Sequence, residues 1–334
     1  MKITVLMGGT SSERNVSLAS GIRIVQALRN KGHTVIALDP ARGVIDAAGE
    51  KKLSTGAVGT APPSLESLSK VAEGAFLPNL TAMKEITGAD VVFLALHGGQ
   101  GEDGTLQALL DMAKVKYTGS GHLSSALAMD KDLSKKLLRA ADVKTADWLM
   151  APAEIERVEG ILGLPVVVKP SKQGSTVGLT VVKKREDLEP AITEAFRYDD
   201  EVMIERFVPG RELTVGVLGD IAFPVGEIIP KHEIYDYECK YTPGMAEEVF
   251  PAELSPAATT RVQEQAVDAF RALKLRGCAR IDFRLTTEGE FYCLEANTLP
   301  GMTELSLIPQ GAAAMGITFP DLCERIARLA LESR

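Results

Sequence analysis

The residues best suited to chemistry lie in two neighbouring segments near the C-terminus, where charged and amide side chains alternate with apolar ones. The segments Arg280 to Leu285 and Phe291 to Asn297 are separated by TTEGE. Two alternating runs around a glycine-containing connection are typical of a β-hairpin. The sequence therefore predicts a hairpin with a two-residue turn at Glu288-Gly289, where glycine can adopt the positive φ that the turn requires.

One face of this predicted hairpin collects oxygen ligands. The turn pairs Asp282 with Glu295 and Arg280 with Asn297, and these four side chains share a face. Carboxylate and amide oxygens suit Mg²⁺, which usually keeps waters and shares substrate phosphates. A solvated polar face with an Arg–carboxylate pair would give the same pattern, so the hairpin alone leaves both interpretations open. The opposite face is expected to be apolar and carries Ile281, Phe283, Leu285, Tyr292, Leu294 and Ala296.

The loop that follows the hairpin favours a functional site. The sequence NTLPGMT from Asn297 to Thr303 combines Pro, Gly and hydroxyl residues and leads to Ser306. Loops positioned by rigid strands often carry binding residues. We therefore expect a substrate pocket beside the candidate metal ligands.

A second candidate site is the segment SKQGSTVG, residues 171–178, which lies between the predicted strands 165–170 and 179–182. Backbone N–H groups, the hydroxyls of Ser175 and Thr176 and the ammonium of Lys169 suit phosphate oxygens. The segment is not a Walker A loop, which requires GxxxxGK[ST] before a helix. A plain hairpin remains the alternative interpretation of this pattern.

The N-terminal segment predicts a βαβ unit: a strand at 2–7, an amphipathic helix that Ser or Thr can cap, and a strand at 34–38. No GxGxxG dinucleotide fingerprint is present. Glu13 follows the first strand, at the sheet edge where open α/β sheets bind ligands, and His97 ends another predicted strand at 90–97. A glutamate that complements the helix dipole and a packed histidine are the alternatives for these two residues.

The middle of the chain supplies further elements. A helix is expected over 124–141, with Leu127, Leu133, Leu137 and Leu138 facing inward, and its Lys131 is interpreted as solvated among other lysines. A strand at 201–207 turns at Pro209–Arg211 into a returning strand at 212–218, so that Glu205 and Glu212 flank the turn.

The remaining segments complete the predicted architecture. Residues 40–80 are expected to be mostly irregular, and helices are expected at 257–275 and 319–331. The loop YDYECKYTPGM at 235–245 carries Lys240 and Tyr241, which are placed to close over a bound ligand.

Composition limits the class of protein. The chain has 334 residues, 45% hydrophobic and 25% charged, with a net charge of −8, which predicts a soluble protein of two or three domains. The acidic balance argues against a nucleic-acid-coating surface. No segment resembles a signal peptide or membrane span, and the four cysteines show no CxxC spacing, so we expect reduced thiols and a cytoplasmic location without membrane partners.

Seven segments, taken in chain order, resemble the ATP-grasp ligases and, among them, the D-alanine–D-alanine ligase family. They cover nearly the whole chain, and their order and spacing make coincidence remote. They are GGTSSERNVSLASG, LHGGQGEDGTLQ, VVVKPSKQGSTVG, IERFVPGRELTV, YDYECKY, RIDF and LEANTLPGMTELS.

The resemblance implies a role for each matching residue. It implies ATP binding by Lys131, Lys169, Gly174, Ser175, Thr176, Glu205, Glu212 and Lys240. It implies two Mg²⁺ ions, with Mn²⁺ possible, on Asp282, Glu295 and Asn297. It implies substrate binding by Glu13, His97, Arg280, Gly301 and Ser306. It implies catalytic roles for Glu13, Ser175, Tyr241, Arg280 and Gly301.

The resemblance also implies fold and activity. The implied fold is α/β (α+β), with a Rossmann-like N-terminal domain at 1–119, a central ATP-grasp domain at 120–205 and a C-terminal one at 206–334. The implied reaction joins two D-alanines through an acyl phosphate, using ATP, for peptidoglycan precursors, and the implied assembly is a homodimer. Tyr241 favours D-alanine as the second substrate, and the alternative is a relative that uses D-lactate, D-serine or another amino acid. A second alternative, a nucleotide-binding regulator without catalysis, fits poorly with the complete set of charged residues.

One departure from the family pattern is Cys239, where alanine is common. An exposed thiol at this position would make the activity sensitive to oxidation, and a harmless small side chain is the favoured alternative.

Overall fold

A computed structural model of the chain describes residues 1–54, 79–174, 176–232, 234–235, 239–240, 242, 244–303 and 306–332. Across these ranges the strands form three sheets, of which the first is largely parallel and the other two are antiparallel. The mixed α/β class predicted from the sequence is confirmed.

The first sheet has the order β3-β2-β1-β4. β1 pairs in parallel with β2, which confirms the predicted βαβ unit, and also pairs in parallel with β4. β3 pairs antiparallel with β2 at the edge of the sheet. The strands are β1 (Lys2–Leu6), β2 (Thr34–Asp39), β3 (Gly43–Val44) and β4 (Val91–Leu94).

The second sheet has the order β5-β8-β6-β7, and the third has the order β12-β11-β9-β13-β14 with β10 paired to β9. The strands of the second sheet are β5 (Trp148–Met150), β6 (Val166–Pro170), β7 (Thr180–Val182) and β8 (Val202–Arg206). The strands of the third are β9 (Arg211–Leu218), β10 (Ile221–Ala222), β11 (Gly226–Pro230), β12 (Ala246–Val249), β13 (Cys278–Leu285) and β14 (Phe291–Asn297).

Helices pack against these sheets. In the described ranges they are α1 (Arg14–Asn30), α2 (Ala47–Ser54), α3 (Lys84–Thr87), α4 (Thr105–Met112), α5 (His122–Met129), α6 (Lys131–Ala140), α7 (Ile155–Ile161), α8 (Leu188–Ala195), α9 (Pro256–Ala272), α10 (Leu307–Ala314) and α11 (Phe319–Glu332). No helix of these ranges combines the length and apolar character that crossing a bilayer requires.

The C-terminal hairpin forms, but its register differs from the prediction on the turn side. Arg280 pairs with Asn297 and Asp282 with Glu295 as predicted, and the register then shifts so that Phe283 pairs with Cys293. Leu294 is therefore an extra, bulged residue, and the turn spans three residues between Thr286 and Glu290.

The bulge changes which residues of β14 face the core. The prediction that Tyr292 and Leu294 join the apolar face was wrong, because Phe291 and Cys293 are the buried residues. A bulge inverts the alternation of one strand. Leu294 consequently faces a cavity beside the candidate metal ligands.

Two other sequence-based predictions need correction. The helix expected over 124–141 is broken into α5 and α6 at Asp130, whose side chain accepts a hydrogen bond from the Leu133 N–H and caps α6. This geometry leaves Leu133 exposed rather than facing inward.

The strands around Pro209–Arg211 do not form a hairpin. β8 pairs with β5 and β6, whereas β9 pairs with β10, β11 and β13. The chain therefore passes from the second sheet to the third between Arg206 and Arg211.

The core connects the two ends of the chain. One cluster of buried apolar residues combines strands β1, β2 and β4 with α1, α10 and α11, and includes Val5, Ile24, Ile308, Leu322 and Ile326. The last helix thus packs on the first sheet. The four cysteines are buried and are not joined by disulfides.

Gly210, in the connection between β8 and β9, allows a test of this crossing. It has a φ of +132°, and an added Cβ would lie 2.0 Å from the backbone oxygen of Leu285. We expect Gly210→Ala to destabilise the protein by more than ~3 kcal/mol, because strained φ and a backbone collision add. The measurement is thermal unfolding by circular dichroism.

Gly289 is the matched control, since its φ is +81° and an added Cβ would meet nothing within 4 Å. Gly289→Ala should cost only ~1–2 kcal/mol, the conformational part alone. Equal losses in the two variants would contradict the close approach at Gly210.

Candidate active site

Two adjoining cavities lie where the three sheets approach one another. The polar cavity is lined by Glu13, His97, Glu102, Lys131, Gly174, Lys240, Arg280, Glu295, Asn297, Gly301 and Ser306, among others. The apolar cavity has walls that include Val167, Lys169, Thr176, Leu179, Glu205, Phe207, Glu212, Ile228, Asp282 and Leu294. Lys131, Gly174, Lys240, Arg280 and Glu295 line both cavities, so these residues mark the junction.

The hairpin face at this junction carries a compact charge network. Arg280 donates from Nε to Asp282 Oδ1 at 2.9 Å and from its Nη2 to Oδ2 at 2.9 Å, and Thr214 on β9 donates to Oδ1 at 2.7 Å. Burial alone would lower the pKa of Arg280, but the Asp282 carboxylate outweighs it and raises that pKa. Arg280 is therefore a permanent cation.

The donor set of this face fits a divalent cation. The side-chain oxygen Oδ1 of Asn297 is buried and lacks a hydrogen-bond partner, which is costly unless a cation or donor meets it. No three His, Cys, Asp or Glu side chains of the described ranges form a metal cluster. The ligands would therefore be Asp282, Glu295 and Asn297 together with phosphate oxygens, as Mg²⁺ accepts.

Lys131 stands at the opposite side of the junction. Its Nζ donates to the backbone oxygen of Gln173 at 2.7 Å and lies 3.4 Å from Glu295 Oε2. Burial alone would raise the pKa of Glu295, but four cations, Lys131 first, hold it at about 2. The interpretation of Lys131 as solvated was wrong, because the residue is buried at the start of α6.

Lys169 and Glu205 form the floor of the apolar cavity. Lys169 Nζ donates to Glu205 Oε2 at 2.5 Å, and Lys135, a residue that the sequence reasoning missed, donates to Oε1. Burial alone would raise the pKa of Glu205, but Lys135 and Lys169 hold it at about 2. Glu212 pairs with Arg284 at 3.2 Å, and burial raises the pKa of Glu212.

The loop at 299–302 is anchored by residues of α1 and of the segment that follows β4. His97 Nδ1 donates to the Leu299 oxygen at 2.7 Å, and its Nε2 lies 3.2 Å from Ser20 Oγ, which accepts from the Met302 N–H. Burial lowers the pKa of His97, which keeps the ring neutral and suits this arrangement.

Glu102, also missed from the sequence, holds the same loop. Its two oxygens accept N–H groups from Gly98 at 2.9 Å and Leu299 at 3.2 Å. Burial, and next the nearby Glu13, raise the pKa of Glu102 to about 7. The carboxylate of Glu13 lies beside Gly174, where an added Cβ would be 3.2 Å from Glu13 Oε2.

The far end of the loop carries a helix N-terminus. Ser306 is the N-cap of α10, and its Oγ accepts from the Thr303 N–H at 3.0 Å. An added Cβ at Gly301 would lie 2.8 Å from Ser306 Oγ, so Gly301 permits this close approach. Helix N-termini suit anionic groups such as carboxylates.

The described members of the predicted site set all line at least one of the two cavities. Ser175 and Tyr241 lie outside the described residues. Cys239 is buried against Ile228, Tyr235 and Leu307, so the exposed thiol considered from the sequence was wrong. The spacing of Lys135, four residues after Lys131, could have indicated that both lysines share a helix face.

Comparison with known proteins identifies the family. Residues 2–120 match the family model described as D-ala D-ala ligase N-terminus, and residues 136–328 match the one described as D-ala D-ala ligase C-terminus. The chain belongs to the D-alanine–D-alanine ligase family. It is 43% identical over 332 residues to a D-alanine–D-alanine ligase of Geotalea uraniireducens, covering 97% of this chain and 94% of the relative.

Solved structures support membership of the ligase family. The D-alanine–D-alanine ligase of Coxiella burnetii is 31% identical with a TM-score of 0.80, covering 99% of this chain and 93% of that one. The ATP complex of the Bacillus anthracis D-alanine–D-alanine ligase is 29% identical with a TM-score of 0.77, covering 99% and 98%. VanG D-Ala:D-Ser ligase of Enterococcus faecalis is 29% identical with a TM-score of 0.81, covering 98% of each chain.

The raised pKa of Glu102 predicts a pH effect on stability. Its pKa is about 7 in the folded state against 4.5 ordinarily, so the folded state binds more protons between these values. The contribution to stability is therefore present below pH 4.5 and is lost as the pH rises through 7. Relative to Glu102→Gln, the wild type should lose ~3 kcal/mol across that window.

The measurement is denaturant unfolding of both proteins from pH 4.5 to 7.5. Glu186→Gln, at an exposed position, is the control and should parallel the wild type. A stability difference between wild type and Glu102→Gln that stays constant with pH would contradict the raised pKa.

Proposed function

We propose that the chain joins two D-alanine molecules into D-alanyl-D-alanine at the junction of the two cavities. A carboxylate oxygen of the first D-alanine attacks the γ-phosphorus of ATP, the bond from that phosphorus to the bridging oxygen breaks, and ADP leaves. The amine of the second D-alanine then attacks the carbonyl carbon of the acyl phosphate. The carbon–oxygen bond to phosphate breaks, the amine loses a proton, and phosphate is released.

The observation that carries this proposal is the joining of a polar cavity to an apolar one at Lys131, Arg280 and Glu295. An adenine ring suits the apolar walls, and amino acids suit the polar ones. The γ-phosphoryl group must be transferred from the nucleotide to the amino acid, and the two molecules would meet at the junction.

The nucleotide is assigned to the apolar cavity. We assign phosphate contacts to Lys131, Lys169 and Lys240 and to the Gly174–Thr176 segment, which includes Ser175. Phosphoryl transfer spreads negative charge over several oxygens, and positioned cations stabilise it. Glu205 and Glu212 line the same cavity, and we assign them to the adenine and ribose.

The amino acids are assigned to the polar cavity. Glu13, with His97 nearby, is assigned to the ammonium of the first D-alanine. Ser306 at the N-terminus of α10 is assigned to the carboxylate of the second, which the helix N-terminus favours. Arg280 and the Gly301 N–H are assigned to the developing oxyanion.

Asp282, Glu295 and Asn297 are assigned to Mg²⁺, with Mn²⁺ as a substitute. When bound there, the metal would neutralise charge on the phosphate oxygens. Glu295 is poised for this role because its surrounding cations keep it ionised. We assign the exclusion of water from the acyl phosphate to the segment that contains Lys240 and Tyr241.

The proposal includes a role in peptidoglycan precursor synthesis in the cytoplasm. It also includes a homodimer, and analytical ultracentrifugation tests this assembly. The domains are proposed at 1–119, 120–205 and 206–334. Limited proteolysis tests these boundaries.

The first test is phosphate release with ATP and Mg²⁺, with D-alanine as substrate and L-alanine as control. We expect release with D-alanine, accompanied by dipeptide detected by mass spectrometry. D-Serine and D-lactate are offered as competing acceptors. Tyr241 favours D-alanine, but the similarity of the fold to the VanG D-Ala:D-Ser ligase does not by itself distinguish D-alanine from D-serine. If D-alanyl-D-serine or D-alanyl-D-lactate were the main product, the assignment of D-alanine as the second substrate would be contradicted.

The second test addresses the hairpin face. Glu295→Ala should lower turnover by at least ~10²-fold, because both a metal ligand and a charge facing Lys131 are lost. Glu288→Ala, at the exposed turn of the same hairpin, is the matched control and should keep wild-type turnover. Near-normal turnover by folded Glu295→Ala would refute the metal assignment.

A further inference from the structure

Lys135 is a buried lysine that the proposed reaction does not use. Its side chain is 1% exposed, and it is among the largest fully buried side chains of the described residues. It does not line either cavity, so it has no direct route to a ligand. Burying an ammonium is costly unless a carboxylate and hydrogen bonds compensate it, so its position requires an explanation.

The surroundings of Lys135 provide that compensation. Its Nζ donates to Thr145 Oγ1 at 2.6 Å and to Glu205 Oε1, and it lies 5.0 Å from the ring centroid of Trp148. Burial lowers the pKa of Lys135, and the Glu205 carboxylate opposes that change. The second oxygen of Glu205 is held by Lys169, so one carboxylate joins two ammonium groups.

The two lysines differ in what they face. Lys169 is 11% exposed and lines the apolar cavity, whereas Lys135 lies behind Glu205 and away from it. If Lys169 were the single partner of Glu205, the net charge of the pair would be zero and would not attract an anionic ligand. With Lys135 on the other oxygen, two positive charges and one negative charge leave one positive charge at the cavity wall.

We propose that Lys135 is a positioning residue that neutralises Glu205, so that Lys169 keeps an uncompensated positive charge for nucleotide phosphates. This inference rests on the proposed function, because it assigns the apolar cavity to the nucleotide. The Glu205 carboxylate then lies between two ammonium groups instead of cancelling the charge of Lys169. Lys131 and Lys135, one turn apart on α6, then serve the two sides of the same phosphate site.

The test is calorimetric binding of Mg²⁺ with the non-hydrolysable analogue AMP-PNP, and separately of adenosine, without D-alanine. Lys135→Met should weaken AMP-PNP binding about tenfold or more, since a unit charge near the phosphates is cancelled. Adenosine binding should be unchanged, because adenosine carries no phosphate. In steady-state assays the KM for ATP should rise more than kcat falls.

The double variant Lys135→Met/Glu205→Gln separates charge from structure. Removing one positive and one negative charge restores a single positive charge at Lys169, so the ratio of AMP-PNP affinity to adenosine affinity should return close to that of the wild type. The ratio cancels any contact that Glu205 itself makes with the nucleoside, because both ligands carry it. Lys136→Met, on the exposed face of α6, is the matched control and should bind like the wild type. Trp148, the sole tryptophan of the chain, reports folding of each variant by fluorescence.

The outcomes are decisive. A double variant whose AMP-PNP to adenosine affinity ratio stays as low as that of Lys135→Met would show a merely structural role and overturn the inference. Equal losses of adenosine and AMP-PNP affinity in Lys135→Met would overturn it as well. If Lys135→Met does not fold, a folded double variant with the wild-type ratio of AMP-PNP to adenosine affinity supports the inference, and one with a lower ratio overturns it. Failure of the wild type itself to bind AMP-PNP would instead refute the proposed function.

Discussion

The structure depends on the compensation of buried charge. Glu205 and Asp282 are buried carboxylates and Glu295 is a partly buried one. Glu205 and Glu295 are paired with lysines from other elements, whereas Asp282 is paired with Arg280 of its own strand. An isolated buried carboxylate would take up a proton instead of staying charged. These lysines come from β6 and α6, so α6 must pack against both the second and the third sheet for the charges to balance.

This constraint also produces a site for an anionic ligand. At the junction of the cavities, Lys131, Lys169, Lys240 and Arg280 all lower the pKa of Glu295, which means that their positive potential converges there. The negative charges of a polyphosphate would be attracted by these cations. Its oxygens would supply further ligands to a metal held by the carboxylates. The net charge of −8 over the chain does not prevent this, because the local arrangement and not the total sets the potential.

The loop at 299–302 shows a different solution to the same problem. Its backbone groups are satisfied by His97, Ser20 and Glu102 from the N-terminal part of the chain. These contacts join residues about 200 to 280 positions apart, so the loop geometry depends on the N-terminal part of the chain. The packing of α11 on the first sheet extends the same connection through the apolar core.

The sequence by itself determined the elements and their chemistry. Alternation located β13 and β14 and paired Asp282 with Glu295, and the motif order indicated the ligase family, because both depend on short-range pattern. Tertiary structure alone decided that Leu294 bulges, that β8 and β9 part into different sheets, and that Lys131 is buried while Leu133 is exposed. It also decided that Lys135 meets Glu205, 70 positions away. Local periodicity carries no information on such contacts, because burial and charge pairing are set by which distant elements pack together.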